Sequence, residues 1–314
     1  MKISVILTGG TIGSRVQNGY ISPADGRGYL LLQNYIREHG TGVEFIISEP
    51  YTALSETLNA QKLNLLIDAV KQQMSQGVDG IIVTHGTDTL QYSAAALSLT
   101  LPKSVPIVLI SSNYPLNDEK ANGNDNFYAG VELIKSGEKG VFVAYRNADG
   151  RICYHKGDLM LRHAEMSDEV FSIGGPYGEL VDGKVEFFRK SDNCEVKEKF
   201  EHFISTPGIL TVTARPEDAF NYCLNDIKAV LLQPYHSGTL DVESTAFRSF
   251  CLEAASKKIP VFVTDVLDGE QYATSSHFSE LGIIPLRNTP SVAAYIKLWL
   301  AVSLNENIIN FMCK

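Results

Sequence analysis

The chain has little with which to cross-link itself, cross a membrane or hold a nucleic acid. Its five cysteines in 314 residues are Cys153, Cys194, Cys223, Cys251 and Cys313. Odd in number and scattered, they suit neither a disulfide framework nor a zinc knuckle; they fit a reducing compartment, each reading as a small buried hydrophobe. No stretch is long and apolar enough to span a bilayer. The opening residues Met1-Lys2-Ile3-Ser4-Val5 lead into a strand pattern without the charged start, apolar segment and cleavage site of a signal peptide, so the cytoplasm is the expected location and no membrane contact is expected. Lysine and arginine number 27 against 36 acidic residues, a net charge of −9. With no basic stripe, no nucleic-acid partner is expected, and the negative sign favours solubility. The seven histidines show no paired ligand spacing, so no metal is expected. Gly9-Gly10 lacks the glycine spacing and the distant acidic residue of a dinucleotide loop.

What is present is a regular alternation. Ile3–Leu7, Val43–Ile47, Gly80–Thr84, Pro106–Ile110 and Gly140–Ala144 read as short buried strands. Between them, Tyr29–Glu38, Asn59–Met74, Asp88–Leu99 and Asp125–Lys135 carry helical amphipathic spacing. Continuous apolar strands alternating with helices predict an α/β fold, a mostly parallel, doubly wound sheet covered on both faces. From about Asp182 to Phe203 the chain is charged and reads as a solvated hairpin and linker. Alternation then resumes with Ile209–Val212, Ala229–Leu232, Val242–Ser256, Val261–Thr264 and Ser291–Leu304. The expectation is two domains: a larger amino-terminal α/β domain over 1–185, a linker over 186–207, and a smaller carboxy-terminal α/β domain over 208–314.

Two turns stand out. The first strand runs into Thr8-Gly9-Gly10-Thr11, and the strand at Ile81–Val83 ends in Thr84-His85-Gly86-Thr87-Asp88. Both lie at carboxyl ends of expected parallel strands, the edge where open α/β sheets bind ligands. Glycine lets a main chain approach a ligand closely. A threonine hydroxyl is a weak nucleophile that needs a partner to take its proton and donors to hold the oxyanion. Tyr20 lies in a glycine-containing loop after Thr11, and Asp88 adjoins Thr87. Two hydroxyls, a phenol and a carboxylate form a set for acyl transfer, such as amide hydrolysis. His85, between strand and glycine, reads as a hydrogen-bonded structural residue.

These residues carry a resemblance to the bacterial-type L-asparaginase family, closest to its cytoplasmic type I branch. The match is to TGGTIG at Thr8–Gly13, to Gly19-Tyr20, and to HGTDT at His85–Thr89. Leu54-Ser55-Glu56 resembles the family's substrate-binding serine segment. Ser111–Pro115 stands where the family has a strand end, and Asn122–Tyr128 where it has a helix start, with Asn122 replacing an aspartate. Tyr235–Thr239 resembles a glycine-rich turn, and Leu281–Val302 the closing helix. The resemblance implies hydrolysis of the side-chain amide of L-asparagine, or of L-glutamine as the alternative, by Thr11 through an acyl-enzyme, with no cofactor. It implies that Tyr20 assists from a lid over Gly13–Pro23, and that Thr87 and Asp88 form a second group, Asp88 holding the substrate's amino group. Ser55 and Glu56 would bind the α-carboxylate and α-ammonium, with Gly10, Gly86 and Ser112 lining the substrate site. Family sites lie between subunits, so a homodimer or homotetramer is implied.

The sequence departs from the family at a lysine that completes the Thr87–Asp88 group. Ungapped, Arg162 takes its place within Lys156–Phe171. Lysine loses a proton readily when buried; arginine, with a pKa above about 12, effectively does not. Arg162 is therefore expected to orient Asp88 or stabilise charge rather than act as a base. Two other readings stay open: a relative that binds a small amino acid with little turnover, and the amidase half of a transamidation complex. The direct start at a strand and the acidic charge speak against the latter.

Overall fold

The apolar runs form strands because β-branched and leucine side chains suit a pleat buried on both faces. The computed structural model describes residues 1–17, 20–23, 28–164, 166–189, 200–266, 268–269 and 272–313, with the backbone only at 14–17, 20–23 and 28. In chain order the first part contains β1 (Lys2–Leu7), β2 (Ser14–Gln17), β3 (Tyr20–Pro23), α1 (Gly28–His39), β4 (Glu44–Ser48), α2 (Ala60–Ser75), β5 (Gly80–Thr84), α3 (Leu90–Thr100), β6 (Pro106–Ile110), α4 (Gly123–Ser136), β7 (Gly140–Arg146), β8 (Ile152–Lys156), β9 (Gly178–Val181) and β10 (Lys184–Phe187). Eight of these strands make one sheet in the order β10-β9-β8-β7-β6-β5-β1-β4, while β2 and β3 form a separate antiparallel ribbon.

From β7 to β4 the sheet is parallel, as expected. Alternation divides the core. Ile3, Val5, Ile82, Val108 and Phe142 pack with Leu31 and Tyr35 of α1 and with Phe127, Val131 and Ile134 of α4. The intervening positions Ile6, Ile81, Val83 and Leu109 are equally buried, on the face covered by α2 and α3. The Asn59 side chain caps α2, accepting from the Lys62 amide at 3.0 Å, and Gly137 ends α4 in the left-handed region at φ 75°.

Strands β8, β9 and β10 add an antiparallel extension that the sequence reading did not anticipate. Asp182 and Gly183 turn β9 into β10 with φ of 50° and 74°, the backbone of a type I′ hairpin. The hairpin expected in the charged stretch therefore starts earlier, and β10 carries the larger sheet past residue 185. Residues 190–199, within the expected linker, lie outside the described residues.

The chain divides into two compact units, Met1–Glu201 and His202–Lys314. The second holds β11 (Ile209–Thr213), β12 (Ala229–Gln233), α5 (Thr245–Ser256), β13 (Val261–Val266), β14 (Ile283–Arg287), α6 (Ser291–Ser303) and α7 (Ile308–Met312). Its four strands are all parallel, in the order β11-β12-β13-β14. Phe247, Phe250 and Cys251 of α5 pack on Val230, Leu232 and Val263, and Ala294 and Leu298 of α6 pack on Leu231 and Phe262. Cys153 and Cys251 are buried, but Cys223 and Cys313 are exposed, and all four are free thiols. The reading of every cysteine as a buried hydrophobe thus fails at Cys223 and Cys313; Cys194 lies outside the described residues. Among the described residues no helix is long and apolar enough to cross a membrane.

Candidate active site

Strand β1 ends against β5, and the first tie beyond the ladder is a side chain. The Thr8 hydroxyl donates to the Thr84 carbonyl at 2.7 Å. The Ala53 amide donates to the Thr8 carbonyl and the Gly10 amide to the Ala53 carbonyl, both at 3.0 Å. Gly9 and Gly10 follow with φ of 100° and 79°, conformations that side chains rarely adopt. A Cβ on Gly9 would strike the Ala53 carbonyl, and one on Gly10 would strike the Gly86 backbone. A Cβ on Gly86 would in turn meet the Ser55 side chain. Three glycines thus bring the turn after β1, the turn after β5 and the segment around Ser55 into van der Waals contact.

Thr11 opens a short 3-10 turn, Thr11–Gly13, and is half-buried. Thr87 opens another, Thr87–Thr89, and is also half-buried. Ser55 is buried at the start of a third, Ser55–Thr57. Two hydrogen bonds lock the second to the third: the Ser55 hydroxyl donates to Asp88 Oδ2 at 3.1 Å, and the Thr89 hydroxyl donates to the Ser55 carbonyl at 2.8 Å. Asp88 is otherwise exposed, as is Glu56 beside Ser55. The carboxylate of Asp88 is therefore aimed by Ser55 and still open to a ligand.

Behind the turns lies a closed layer. His85 is buried, its Nδ1 2.9 Å from the Gly86 carbonyl and its Nε2 2.8 Å from the Ser93 hydroxyl. A carbonyl only accepts, so Nδ1 carries the proton and Nε2 accepts from Ser93. Burial lowers the pKa of His85, against the opposing pull of the Gly86 carbonyl and Asp88. Both ring nitrogens are occupied, as the structural reading of this residue expects. Burial pushes the Tyr51 phenol up to about 12, with the Thr8 hydroxyl pulling it back, so Tyr51 is a neutral wall below the first turn.

Other candidates stand elsewhere. Tyr20 opens β3, paired with Gln17 across the ribbon, and β3 returns against the Thr11–Gly13 turn; its side chain, and Gly19, lie outside the described residues. Ser112, at the end of β6, is fully buried; its hydroxyl donates to the Tyr114 carbonyl and packs against Gly123. It belongs to the junction with α4. Next to it, Asn113 and Asn122 exchange side chain to backbone bonds at 3.0 and 3.1 Å, and the Asn122 amide group reaches the Arg146 carbonyl at 2.9 Å. Asn122, which departs from the family's aspartate, is a buried brace for that loop.

Arg162 falls within the Lys156–Phe171 segment. It is exposed, on a loop closed at its base by the Leu161 amide donating to the Phe171 carbonyl at 2.9 Å and by the Met160–Ser172 bridge. At its neighbour His163, burial lowers the pKa, opposed by Asp168 and then Asp88. Among the described residues no cluster of histidine, cysteine and acidic side chains suits a metal ion.

Residues 2–192 match the family model described as Asparaginase, N-terminal. The L-asparaginase of Thermococcus kodakarensis is 25% identical over 98% of this chain and 94% of its own. A glutamyl-tRNA(Gln) amidotransferase polypeptide of Methanococcus maripaludis is 25% identical over 95% of this chain and 75% of its own. Among solved structures, the thermostable L-asparaginase of Thermococcus kodakarensis superposes with a TM-score of 0.81 at 21% identity, covering 100% of this chain and 96% of that one. The model match spans most of the chain and contains both threonine turns; the chain belongs to the asparaginase family and is an amidohydrolase.

Proposed function

We propose that the chain hydrolyses the side-chain amide of L-asparagine to L-aspartate and ammonia, with Thr11 as the nucleophile. The observation that supports this most is the contact of Gly10 with Gly86, and of Gly86 with Ser55, which sets the Thr11 and Thr87 turns side by side at the carboxyl edge of β1 and β5. In this reading the Thr11 oxygen adds to the amide carbon, the carbon–nitrogen bond breaks, and ammonia leaves. Water then cleaves the acyl-enzyme. Asp88, aimed by Ser55, holds the substrate's ammonium, with Ser55 and Glu56 on the amino-acid end and Gly10 and Gly86 as the floor. Tyr20 assists from the ribbon of β2 and β3, acting as a lid. Ser112, with its hydroxyl committed to Tyr114, supports the wall rather than the ligand.

A coupled ammonia assay on the purified protein tests this reading. L-Asparagine is expected to release ammonia faster than L-glutamine, and Thr11→Ala to lower kcat by roughly 10³-fold or more, the scale of losing a nucleophile. Turnover of L-glutamine alone would move the assignment to a glutaminase. A Thr11→Ala variant that keeps its rate would remove Thr11 from the role.

A further inference from the structure

The carboxyl edge of the first sheet continues past the threonine turns to β6 and β7, and there it opens into a cavity of about 400 Å³. Tyr145 and Arg146, the last residues of β7, line it between two loops. The loop after β6 contributes Tyr114 and Lys120, and the loop after β8 contributes Met166, Asp168 and Glu169. Both loops are braced. Asn113 and Asn122 tie the first to itself. The Asn147 side chain ties the second to the end of β7: it both donates to the Val170 carbonyl and accepts from the Val170 amide, each at 3.0 Å. The cavity is therefore built by the fold, as ligand sites mostly are.

Its polar groups are uncommitted. Tyr145 is 1% exposed, and its hydroxyl has no partner with hydrogen-bond geometry among the described residues. The Asn122 side chain pulls on this phenol but is spent on the Asn113 amide and the Arg146 carbonyl. Burial pushes the phenol up to about 12, so it is a neutral donor at working pH. A buried donor without an acceptor is costly, and calls for one. Charge around it is separated. Arg146 Nε stands 2.7 Å from Asp125 Oδ2, which leaves the two terminal nitrogens of the guanidinium without an acid among the described residues. Lys120, Asp168 and Glu169 form no ion pair among those residues. Two cations and two acids that do not neutralise one another suit a ligand carrying both signs. The cavity also has apolar surface. Tyr114 is partly exposed and Met166 fully so. Met166 is held at φ 57°, a conformation costly for a bulky side chain, so the loop imposes its place.

We propose that this cavity binds a free α-amino acid with an apolar side chain. The carboxylate accepts from the Tyr145 hydroxyl, Arg146 and Lys120; the ammonium donates to Asp168 and Glu169; the side chain lies against Tyr114 and Met166, whose flexible thioether adapts to its shape. None of these residues belongs to the set assigned to amide hydrolysis, so the inference goes beyond that reading and does not require it.

Equilibrium dialysis of L-leucine against the purified full chain tests this. Leucine has no side-chain amide, so it is bound without being consumed. Saturable binding at one site per chain is expected. Tyr145→Phe, Lys120→Met and Asp168→Asn are each expected to weaken it about tenfold, the scale of losing one hydrogen bond to a charged group. The last two alter exposed side chains and keep the test valid should Tyr145→Phe fail to fold. L-Leucinamide, which lacks the carboxylate, and 4-methylpentanoate, which lacks the ammonium, are expected to bind at least tenfold more weakly than L-leucine. Asp88→Asn should bind L-leucine like wild type. The proposal is overturned by no saturable binding to wild type, by binding that Lys120→Met and Asp168→Asn leave unchanged, or by binding lost in Asp88→Asn, which would put the leucine in the threonine turns. Failure of L-asparagine to release ammonia would remove the hydrolase reading and leave this result standing.

Discussion

Each unit of this chain has a parallel sheet and therefore a carboxyl edge, and the two edges differ in what their polar groups are committed to. In the second unit, residues after β11 and β12 line an open cavity of about 320 Å³ that includes Arg215, Asp218, Phe220, Tyr235 and Phe247. Its central carboxylate is spent. Asp218 accepts from the Phe220 amide at 2.9 Å and from the Tyr222 hydroxyl at 2.8 Å, and Arg215 Nε sits 3.1 Å away. Burial works to raise the pKa of Asp218, but those partners hold it below the usual carboxylate range. In the first unit the corresponding edge puts half-exposed threonines at the starts of two turns, and a carboxylate with one internal partner, Ser55. Topology supplies an edge of this kind wherever strands run parallel. Whether the edge becomes a site is decided by which hydroxyls and carboxylates the fold leaves accessible.

The largest expected effect that would break this contrast is at Gly10. Its φ of 79° and the Gly86 backbone in front of it leave no room for a methyl group. Gly10→Ala would force the turn after β1 away from the turn after β5. A misplacement of about 1 Å costs roughly 10²-fold in rate, so kcat/KM for L-asparagine is expected to fall by about that factor or more in the ammonia assay. Unaltered kinetics would mean that the closeness of the two turns is not what builds the site.

The parallel part of the first unit was legible because its strands are continuous apolar runs; every residue of Gly80–Thr84 and Pro106–Ile110 is buried. The threonine turns were legible because two of them fall at carboxyl ends of parallel strands; either alone would read as an ordinary turn or helix cap. The antiparallel extension was not. Its strands β9 and β10 are four residues each, too short for a period to declare itself, and the Asp182-Gly183 hairpin signal sits inside a charge run. Nor was the exposure of Arg162 legible: a loop without helical or strand spacing carries no burial pattern. Asn122 read as a lost aspartate; only its exchange of bonds with Asn113 explains the amide.

A smaller effect is expected at Ser55. Ser55→Ala removes the hydroxyl that aims Asp88 at 3.1 Å but leaves the carboxylate exposed to water, which replaces part of what is lost. A hydrogen bond to a charged group is worth about 1.5–3 kcal/mol when shielded, and solvent discounts it at this exposed acid. The variant is expected to lose about tenfold in kcat/KM, mainly through a higher KM for L-asparagine. A change confined to kcat would show that Ser55 serves the chemical step rather than the grip on the ammonium.

The smallest expected effect sharpens the contrast from the other side. Tyr222→Phe takes one donor from Asp218 in the second unit and leaves the Phe220 amide and Arg215 in place. The partnered carboxylate keeps two of its three supports, so unfolding in urea is expected to lose about 1 kcal/mol of stability. Ammonia release should stay within about twofold of wild type, because that edge holds structure and not substrate. A loss of activity as large as that of Ser55→Ala, with the fold intact, would show that the second edge takes part in the site. The division between an open edge and a committed one would then be wrong.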